Sequence, residues 1–350
     1  MVKFGVIGCG VIGTQHITNI IDAPETELVA VADLVESYRL RAIERFQPPK
    51  VYHTGVELIS DPEIEAVVLA FPTAFRTEIA KQALISGKHV LIEKPIAMNS
   101  QEVEELIAIK GDLVSGCCSC RYRLFDGADF ATKFISTGKL GELRSVFFRE
   151  LRAIGGKPKS DLPPDWRLKK SLNGGGILVN WSSYDLDFLL GLTNWKLKPL
   201  TVFAQTWPIP KEFSDYVVED SDAEIQYTAL IRCQNGITIS IERGEYMPTQ
   251  TGISSSWEII GSRGSLKMNM LKNNPYRLEH TYVTKTGLET EIIYENSERP
   301  NTTPVEDFAR AIKEKKQPKT SLENALIIQK ITDGIYASAA QAQSVQLDEL

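Results

Sequence analysis

The chain has 350 residues, of which 43% are hydrophobic and 24% are charged, a composition typical of globular rather than disordered or fibrous proteins. This length exceeds the usual size of a single compact core, so we expect two domains. With 39 Lys and Arg against 45 Asp and Glu, a net charge of −6 and no clustered basic run, the sequence argues against a nucleic-acid partner.

Strands and helices alternate in the first third of the chain. The segments VKFGVIG, ELVAVAD, EAVVLAFP and HVLIEKP predict strands, a helix follows the first strand from about Gly13, and EIAKQALISG predicts another helix. Continuous apolar strands between helices indicate a parallel sheet covered on both faces. We therefore predict a doubly wound α/β domain, a Rossmann fold, over residues 1–120.

The pattern changes after residue 120. FATKFISTGKLGELRSV predicts a helix, a glycine turn and a strand, AEIQYTALIRCQNGITISIERG predicts a hairpin with a turn at Asn235-Gly236, and SWEIIGSRGSLKMN predicts a second strand pair. The tail, PVEDFARAIKEKKQP and SLENALIIQKITDGIYASAAQA, predicts two packing helices. Residues 121–350 should therefore form an α+β domain with an open, mostly antiparallel sheet, one face of which helices or a partner subunit must cover.

The sequence shows no targeting or membrane segment. Its first residues enter a strand pattern without the basic region and cleavage site of a signal peptide, and no stretch has the roughly 18 uninterrupted apolar residues of a membrane span. We therefore expect a cytoplasmic protein with no membrane partner.

Cysteine and histidine spacing predicts neither a disulfide framework nor a metal site. The five cysteines are few and oddly spaced, and CCSC at 117–120 has no second Cys pair or nearby His to complete four ligands. The four histidines are too scattered for a zinc signature. We expect the CCSC segment to be a buried strand of small thiols, and we expect no metal.

A GxGxxG motif stands at the turn between the first strand and the first helix. It comprises Gly8, Cys9, Gly10, Val11, Ile12 and Gly13. Glycines there permit a tight turn and close backbone approach, so that a pyrophosphate can lie on the helix N-terminus. Asp33 ends the next strand, 20 residues after Gly13, where a carboxylate binds a ribose 2′-OH and repels a 2′-phosphate. This favours NAD over NADP, although nearby Arg39 and Arg41 leave room for a phosphate; a glycine turn with a surface Asp is the alternative.

The strand HVLI delivers Glu93-Lys94-Pro95 to the carboxyl edge of the predicted sheet, where ligands of open α/β folds bind. A Lys beside a nicotinamide can hydrogen-bond a substrate hydroxyl and lower the pKa of a neighbouring acid. Taken alone, the tripeptide is equally compatible with a solvated loop.

These motifs together resemble the Gfo/Idh/MocA family of nicotinamide-dependent oxidoreductases. The resemblance rests on the GxGxxG strand, the later Asp, FPTAFRTEIAKQALISGKHVLIEKP, DWRLKKSLNGGGILVNWSSYDLD and WEIIGSRGSLKM, and it covers nearly the whole chain. It implies a Rossmann domain, a C-terminal domain whose open sheet often serves oligomerisation, and an active site between them.

The chain departs from the family pattern after the triple glycine. Family members commonly carry an Asp there and a His four residues later, and this sequence has Asn180 and Tyr184. A glucose-fructose oxidoreductase-like subgroup places Tyr at the His position, so the resemblance makes Tyr184 the proton donor or acceptor. Asn180 cannot titrate and can only orient substrate. If the segment is helical, Asn180, Tyr184 and Asp187 share one face; the alternative is that Tyr184 is a core residue.

Other positions carry partial matches. Phe71-Pro72-Thr73 and Arg76 stand where relatives have Thr-Pro-Asn and a His, and Cys120 stands where many have Asn. Trp166-Arg167 matches a Trp-Arg pair that implies contact with cofactor or substrate, although a rim Trp stacked by an Arg would look the same. The expected cofactor-binding residues are Gly8, Gly10, Val11, Ile12, Gly13, Asp33, Phe71, Pro72, Thr73, Arg76, Glu93, Lys94, Trp166 and Arg167. The expected substrate-binding residues are Lys94, Arg167, Asn180, Trp181 and Tyr184.

The leading hypothesis is an NAD-dependent oxidoreductase acting on a secondary hydroxyl, or the matching ketone, of a sugar, glycoside or cyclitol. Lys94 would position the reacting oxygen and Tyr184 would exchange its proton. Two alternatives stay open: a glycoside-cleaving enzyme that retains NAD and oxidises transiently, and a non-catalytic dinucleotide-binding regulator. An uncovered sheet in the second domain predicts a homodimer or homotetramer.

Overall fold

The computed structural model describes residues 1–160, 162–249, 253–271, 274–296 and 300–348. The chain divides into two compact units. The first comprises Met1–Arg121 and Thr302–Gln329, and the second comprises Tyr122–Asn301 and Lys330–Leu350. The sequence predicts a domain boundary at residue 120. The first unit ends close to it, at Arg121, but also includes Thr302–Gln329 from the C-terminal region.

The first unit contains a six-stranded parallel sheet in the order β3-β2-β1-β4-β5-β6. Its strands are β1 (Val2–Ile7), β2 (Thr26–Ala32), β3 (Lys50–Tyr52), β4 (Ala66–Leu69), β5 (His89–Ile92) and β6 (Ser115–Cys117). Its helices from the N-terminal region are α1 (Val11–Asp22), α2 (Glu36–Phe46), α3 (Gly55–Ile59), α4 (Arg76–Ile85) and α5 (Ser100–Ile109). The strand order confirms the predicted doubly wound sheet. Strands β2 and β3 extend the sheet on one side of β1, and β4, β5 and β6 extend it on the other side.

Two buried clusters lie in the first unit, as expected for a parallel sheet whose strands are apolar on both sides. Helix α9 (Pro304–Glu314) contributes to one of them, with Phe308 lying 6.4 Å from Phe4 between ring centroids. The start of helix α10 (Leu322–Gln341) contributes Leu322 and Ala325 to the other. Both tail helices therefore pack against buried clusters of the first unit, as predicted, and α9 packs against the parallel sheet.

The second unit contains a nine-stranded sheet in the order β14-β13-β12-β11-β7-β10-β9-β8-β15, in which only β7 and β10 pair in parallel among the described pairs. Its strands are β7 (Leu143–Ala153), β8 (Pro199–Pro208), β9 (Glu224–Cys233), β10 (Thr238–Met247), β11 (Ile253–Gly261), β12 (Gly264–Leu271), β13 (Asn274–Thr284), β14 (Gly287–Glu295) and β15 (Val345–Gln346). Its remaining helices are α6 (Asp126–Ser136), α7 (Lys170–Asn173) and α8 (Ser183–Leu192). The predicted mostly antiparallel sheet is confirmed, and Asn235 and Gly236, with φ of 61° and 76°, form the predicted hairpin turn.

All five cysteines lie in the described part of the chain and are buried, and none is in a disulfide. Only Cys117 of the CCSC segment is in a strand, because the chain turns into a 3₁₀ segment at Cys118. In the ranges that the structure describes, every helix is too short or too polar to cross a membrane.

Candidate active site

The glycine motif forms the turn between β1 and α1. Gly8 has a φ of 95°, in the left-handed region, and a Cβ added at Gly13 would lie 1.8 Å from the Gly8 carbonyl oxygen. The motif thus lets the helix approach the strand closely. At Gly10, the residue preceding α1, an added Cβ would meet nothing within 4 Å, and no side chain caps the helix. The free backbone N–H groups and open space fit a pyrophosphate at this helix N-terminus.

Asp33 lies directly after β2 beside this turn. One carboxylate oxygen accepts a hydrogen bond from the Cys9 backbone N–H at 2.7 Å, and the other accepts one from the Val35 N–H at 2.8 Å. Each oxygen of an ionised carboxylate has a second acceptor site, so the fixed carboxylate fits a ribose hydroxyl. Arg39 Nη1 donates to the Asp33 and Leu34 carbonyl oxygens at 2.5 and 3.0 Å, which holds the guanidinium against the chain that follows β2.

The loop after β4 carries Phe71, Pro72 and Thr73, and Thr73 is fully buried. Arg76 begins α4 and is also buried, at 3% exposure. Its guanidinium donates to the carbonyl oxygens of Phe71, Glu93 and Pro95 at 2.5, 2.7 and 2.6 Å. This cation therefore ties the β4 loop to the loop after β5. Its predicted contact with the cofactor stays a prediction.

Glu93 is 2% exposed and is surrounded by donors. His16 Nε2 lies 2.8 Å from one carboxylate oxygen, Arg121 forms an ion pair with the same oxygen, and the Lys94 N–H donates to the other at 3.0 Å. Burial acts to raise the pKa of this carboxyl, but the positive charge of Arg121 and the His16 hydrogen bond outweigh it and hold the pKa well below the usual range. An ionised, buried Glu93 thus fixes the backbone at Lys94, which is itself half-buried.

The fold brings His16 to Glu93 and Cys118, a proximity that sequence spacing did not predict. Their potential ligand atoms all lie within 4.8 Å of one another. The positive Arg121 pairs with Glu93, however, and burial raises the pKa of the Cys118 thiol well above its ordinary value. A protonated thiol and an adjacent guanidinium both disfavour a cation at this cluster.

The segment after the triple glycine is not a single regular α-helix. Leu178–Ser182 forms a π-helical turn that continues into α8, and all ten residues of α8 are buried. Because every residue of α8 is buried, its polar and apolar residues alike lie away from solvent. Asp187 accepts a hydrogen bond from Arg123 Nε at 2.5 Å.

Tyr184 and Asn180 occupy different environments within this segment. Tyr184 is 6% exposed, and its ring stacks on Tyr122 with centroids 5.2 Å apart. The Asn180 amide donates to the Gly176 and Arg167 carbonyl oxygens at 2.8 and 3.2 Å. These hydrogen bonds stabilise the turn that contains Asn180. The predicted contact of Asn180 with substrate stays a prediction.

Trp181 and Arg167 lie along a chain of ion pairs. Arg167 donates to Glu245 at 2.7 Å, and the guanidinium carbons of Arg152 and Arg243 lie 4.5 and 4.9 Å from the Trp181 ring centroid. Trp166 is half-buried beside Arg167. The sequence analysis did not predict the buried residues of this series of ion pairs. Charged residues at inward-facing positions of the strand segments RELRA and ERGE could have indicated them.

The pairing of β7 with β10 creates this arrangement by setting Arg243 opposite Glu150. Glu150 accepts from Arg152 at 2.6 Å and lies 2.9 Å from Arg243, which in turn lies 3.5 Å from Asp185. Burial raises the pKa of Asp185 to about 7, despite the opposing charge of Arg243. The Asp185 carboxyl, which follows Tyr184 in the chain, can therefore titrate near neutral pH.

A groove of about 580 Å³ lies within the second unit, between the 159–162 and 209–221 segments. Its described lining includes Lys159, Leu162, Ile209, Lys211, Asp215 and Glu219. The lining mixes apolar side chains with charged ones from both sides of the groove.

Together, the parallel sheet in the order 3-2-1-4-5-6, the glycine turn and the fixed acidic residue after β2 define a dinucleotide-binding oxidoreductase. Residues 2–112 match the model of the oxidoreductase family with an NAD-binding Rossmann fold, and residues 130–267 match the GFO/IDH/MocA C-terminal domain. The chain belongs to the Gfo/Idh/MocA family, an NAD-binding oxidoreductase family, as the sequence motifs indicated.

Relatives of known activity cover most of the chain at low identity. Levoglucosan dehydrogenase of Pseudarthrobacter phenanthrenivorans is 24% identical and the match covers 84% of this chain and 82% of the relative. The scyllo-inositol 2-dehydrogenase (NAD(+)) of Bacillus subtilis is 22% identical over 99% of this chain and 96% of the relative. The D-xylose 1-dehydrogenase (NADP(+)) 2 of Haloferax volcanii is 23% identical over 99% of each chain.

Solved structures show the same fold. A levoglucosan dehydrogenase in complex with NADH and L-sorbose superposes with a TM-score of 0.84 at 22% identity, covering 99% of this chain and 98% of that one. An oxidoreductase domain protein from Kribbella flavida gives a TM-score of 0.85 at 20% identity, covering 99% and 100%.

Proposed function

We propose that this protein transfers hydride between NAD and a secondary hydroxyl, or the matching ketone, of a sugar, glycoside or cyclitol. The observation that carries the proposal is the Asp33 carboxylate, held by two backbone amides beside the uncapped N-terminus of α1. The sugar and inositol dehydrogenases among the relatives support this substrate class. The nicotinamide, when bound, supplies the hydride acceptor or donor.

In this proposal Lys94 positions the reacting oxygen. Its backbone is restrained on both sides, because its N–H donates to Glu93 and Arg76 donates to the carbonyls of Glu93 and Pro95. An ammonium group carried on a restrained backbone can donate a hydrogen bond to a substrate hydroxyl. It can also stabilise the negative charge that develops on oxygen during hydride transfer.

Tyr184 is the proposed proton donor and acceptor. Stacking on Tyr122 and attachment to the buried helix α8 restrict its rotamer, which is what a proton-transfer group requires. A phenol must first lose its own proton before it can take one from an alcohol, and a nearby positive charge favours the ionised form by lowering the phenol pKa. We assign that charge to Lys94 as part of the proposal.

The test combines substrate screening with a single-atom deletion. Purified protein and NAD are mixed with a panel of pyranoses, glycosides and inositols, and the absorbance of reduced nicotinamide is followed. Tyr184→Phe should lower kcat by about 10²- to 10⁴-fold, the usual contribution of a general acid or base, while NADH binding persists. Tyr282→Phe on β13 removes a hydroxyl that bonds Glu289 and should behave as wild type.

The other outcomes are equally informative. Cleavage of an aryl glycoside without net NADH formation would favour the NAD-retaining glycoside-cleaving enzyme. Tight NADH binding with no turnover of any carbohydrate in either direction would contradict the proposal and favour a regulator. Full activity of Tyr184→Phe on a turned-over sugar would keep the reaction class and remove Tyr184 from it.

A further inference from the structure

A set of paired charges lies against Trp181 and extends to Asp185, the residue after Tyr184. Six alternating side chains form a chain of ion pairs that runs from partly exposed to fully buried positions: Arg167, Glu245, Arg152, Glu150, Arg243 and Asp185. The separations along the chain are 2.7, 3.7, 2.6, 2.9 and 3.5 Å. Arg243 and Asp185, at its inner end, are both 0% exposed.

This inner end lacks ordinary hydrogen bonds. Within the described ranges, neither carboxylate oxygen of Asp185 accepts a hydrogen bond, and no guanidinium nitrogen of Arg243 donates one. Their charged contacts are the ion pairs of Arg243 with Glu150 and with Asp185. Buried polar groups are almost always hydrogen-bonded, and exceptions concentrate where a protein stores strain or performs chemistry. Asp185 also directly follows Tyr184.

Arg243 lies near two carboxylates and two aromatic rings, and its guanidinium carbon is 5.8 Å from the Phe148 ring centroid. Its Nη1 lies 2.9 Å from Glu150 and 3.5 Å from Asp185, and its guanidinium carbon lies 4.9 Å from the Trp181 ring centroid. When Asp185 is ionised, both carboxylates attract the guanidinium. When Asp185 is protonated, Glu150 alone does so, and the position of Arg243 against the indole should change accordingly.

We propose that Asp185 is a positioning residue that acts through Arg243, so that its protonation state sets the placement of Trp181 and, with it, the turn that presents Tyr184. This rests on the proposed function for Tyr184. The charged and titratable groups that face Asp185 come from several elements. They are Arg243 from β10, Glu150 and Arg152 from β7, Tyr227 from β9, and Tyr122 from the 3₁₀ segment before α6.

The pKa of Asp185 places its titration in a measurable range. Folding raises this pKa from an ordinary value of 3.8 to about 7, mainly through burial. The folded chain therefore retains a proton that the unfolded chain releases between these values. The contribution of Asp185 to stability is fully present below its ordinary pKa and is lost as the pH rises through about 7.

The first measurement is a fluorescence titration that needs no substrate. The emission of Trp181 is isolated by subtracting the spectrum of Trp181→Phe from that of the full-length wild type between pH 5 and pH 9. We expect a transition near neutral pH that Asp185→Asn abolishes, because the amide imitates the protonated carboxyl at every pH. Asp187→Asn, on the same helix but paired with Arg123, should keep the transition.

The second measurement separates positioning from a purely structural role. With a sugar that the enzyme turns over, kcat of the wild type should change severalfold across the same pH interval, whereas Asp185→Asn should lack that step and keep NADH affinity within twofold. A neutral-pH step in kcat that persists in Asp185→Asn would overturn the proposal.

Each outcome is assignable even if a variant does not fold. A wild-type difference spectrum that is unchanged from pH 5 to pH 9 overturns the proposal without any Asp185 variant. A transition near pH 7 in a protein that turns over no carbohydrate would support the coupling of Asp185 to Trp181 while contradicting the proposed function. The two failures are therefore distinguishable.

Discussion

At the scale of single residues, we propose that Asp33 sets the preference for NAD over NADP. Its carboxylate oxygens accept from Cys9 and Val35 N–H groups, so the side chain has one orientation before any ligand binds. Such preorganisation reduces the entropy that binding must offset. The sequence predicted this residue from its spacing to the glycine motif, but the two amides that orient it come from the folded turn.

Replacing Asp33 with Asn should reduce the preference for NADH over NADPH by about tenfold or more, because a hydrogen bond to a charged group contributes about 1.5–3 kcal/mol and the negative charge repels a 2′-phosphate. Fluorescence titration with both reduced cofactors measures the ratio. Glu36→Gln, which neutralises an exposed carboxylate three residues on, is the control. An unchanged ratio in Asp33→Asn would remove this residue from cofactor recognition.

At the scale of elements, the turn between β1 and α1 contains two glycines with different tasks. A Cβ at Gly13 would collide with the Gly8 carbonyl, whereas a Cβ at Gly10 would enter open space. Gly13 thus sets the distance between helix and strand. We expect Gly10 to keep the helix N-terminus accessible to the pyrophosphate.

Two alanine variants should separate these tasks. Gly13→Ala should lower the free energy of unfolding by about 1–3 kcal/mol, the usual cost of overpacking, and weaken NADH binding with it. Gly10→Ala should leave urea unfolding almost unchanged and weaken NADH binding at least tenfold. If Gly10→Ala binds NADH normally, the pyrophosphate does not lie at this turn.

At the scale of the whole molecule, one face of the nine-stranded sheet exposes an apolar row. Phe203, Leu230 and Phe147 are 55%, 51% and 37% exposed, and the strand register aligns them across β8, β9 and β7 with Ser240 of β10 between the last two. Exposed apolar patches of this kind mark association sites. We propose that a second copy of this chain covers the row in a homodimer, or in a homotetramer built from such dimers.

The double substitution Phe203→Glu/Leu230→Glu should convert the oligomer to monomer, because like charges would meet across a two-fold interface. Light scattering coupled to size exclusion measures the mass. Ile85→Glu, at a 76% exposed apolar position at the end of α4, is the matched control and should leave the mass unchanged. A wild-type chain that is monomeric at micromolar concentration would contradict the proposal.

The amino-acid sequence by itself determined the sheet classes, the glycine turn, the acidic residue after β2 and the family. These features depend on local patterns, since strand periodicity, turn glycines and short motif spacings are written within a few residues of one another.

Only the tertiary structure decided what surrounds these residues. It placed Arg76 against three carbonyl oxygens and packed α9 against the N-terminal sheet. It also buried every residue of α8 and set Arg243 opposite Glu150 and beside Asp185. Such contacts join residues far apart in the chain. The burial and neighbouring charges that shift the pKa of Asp185 exist only after distant strands and helices have packed together.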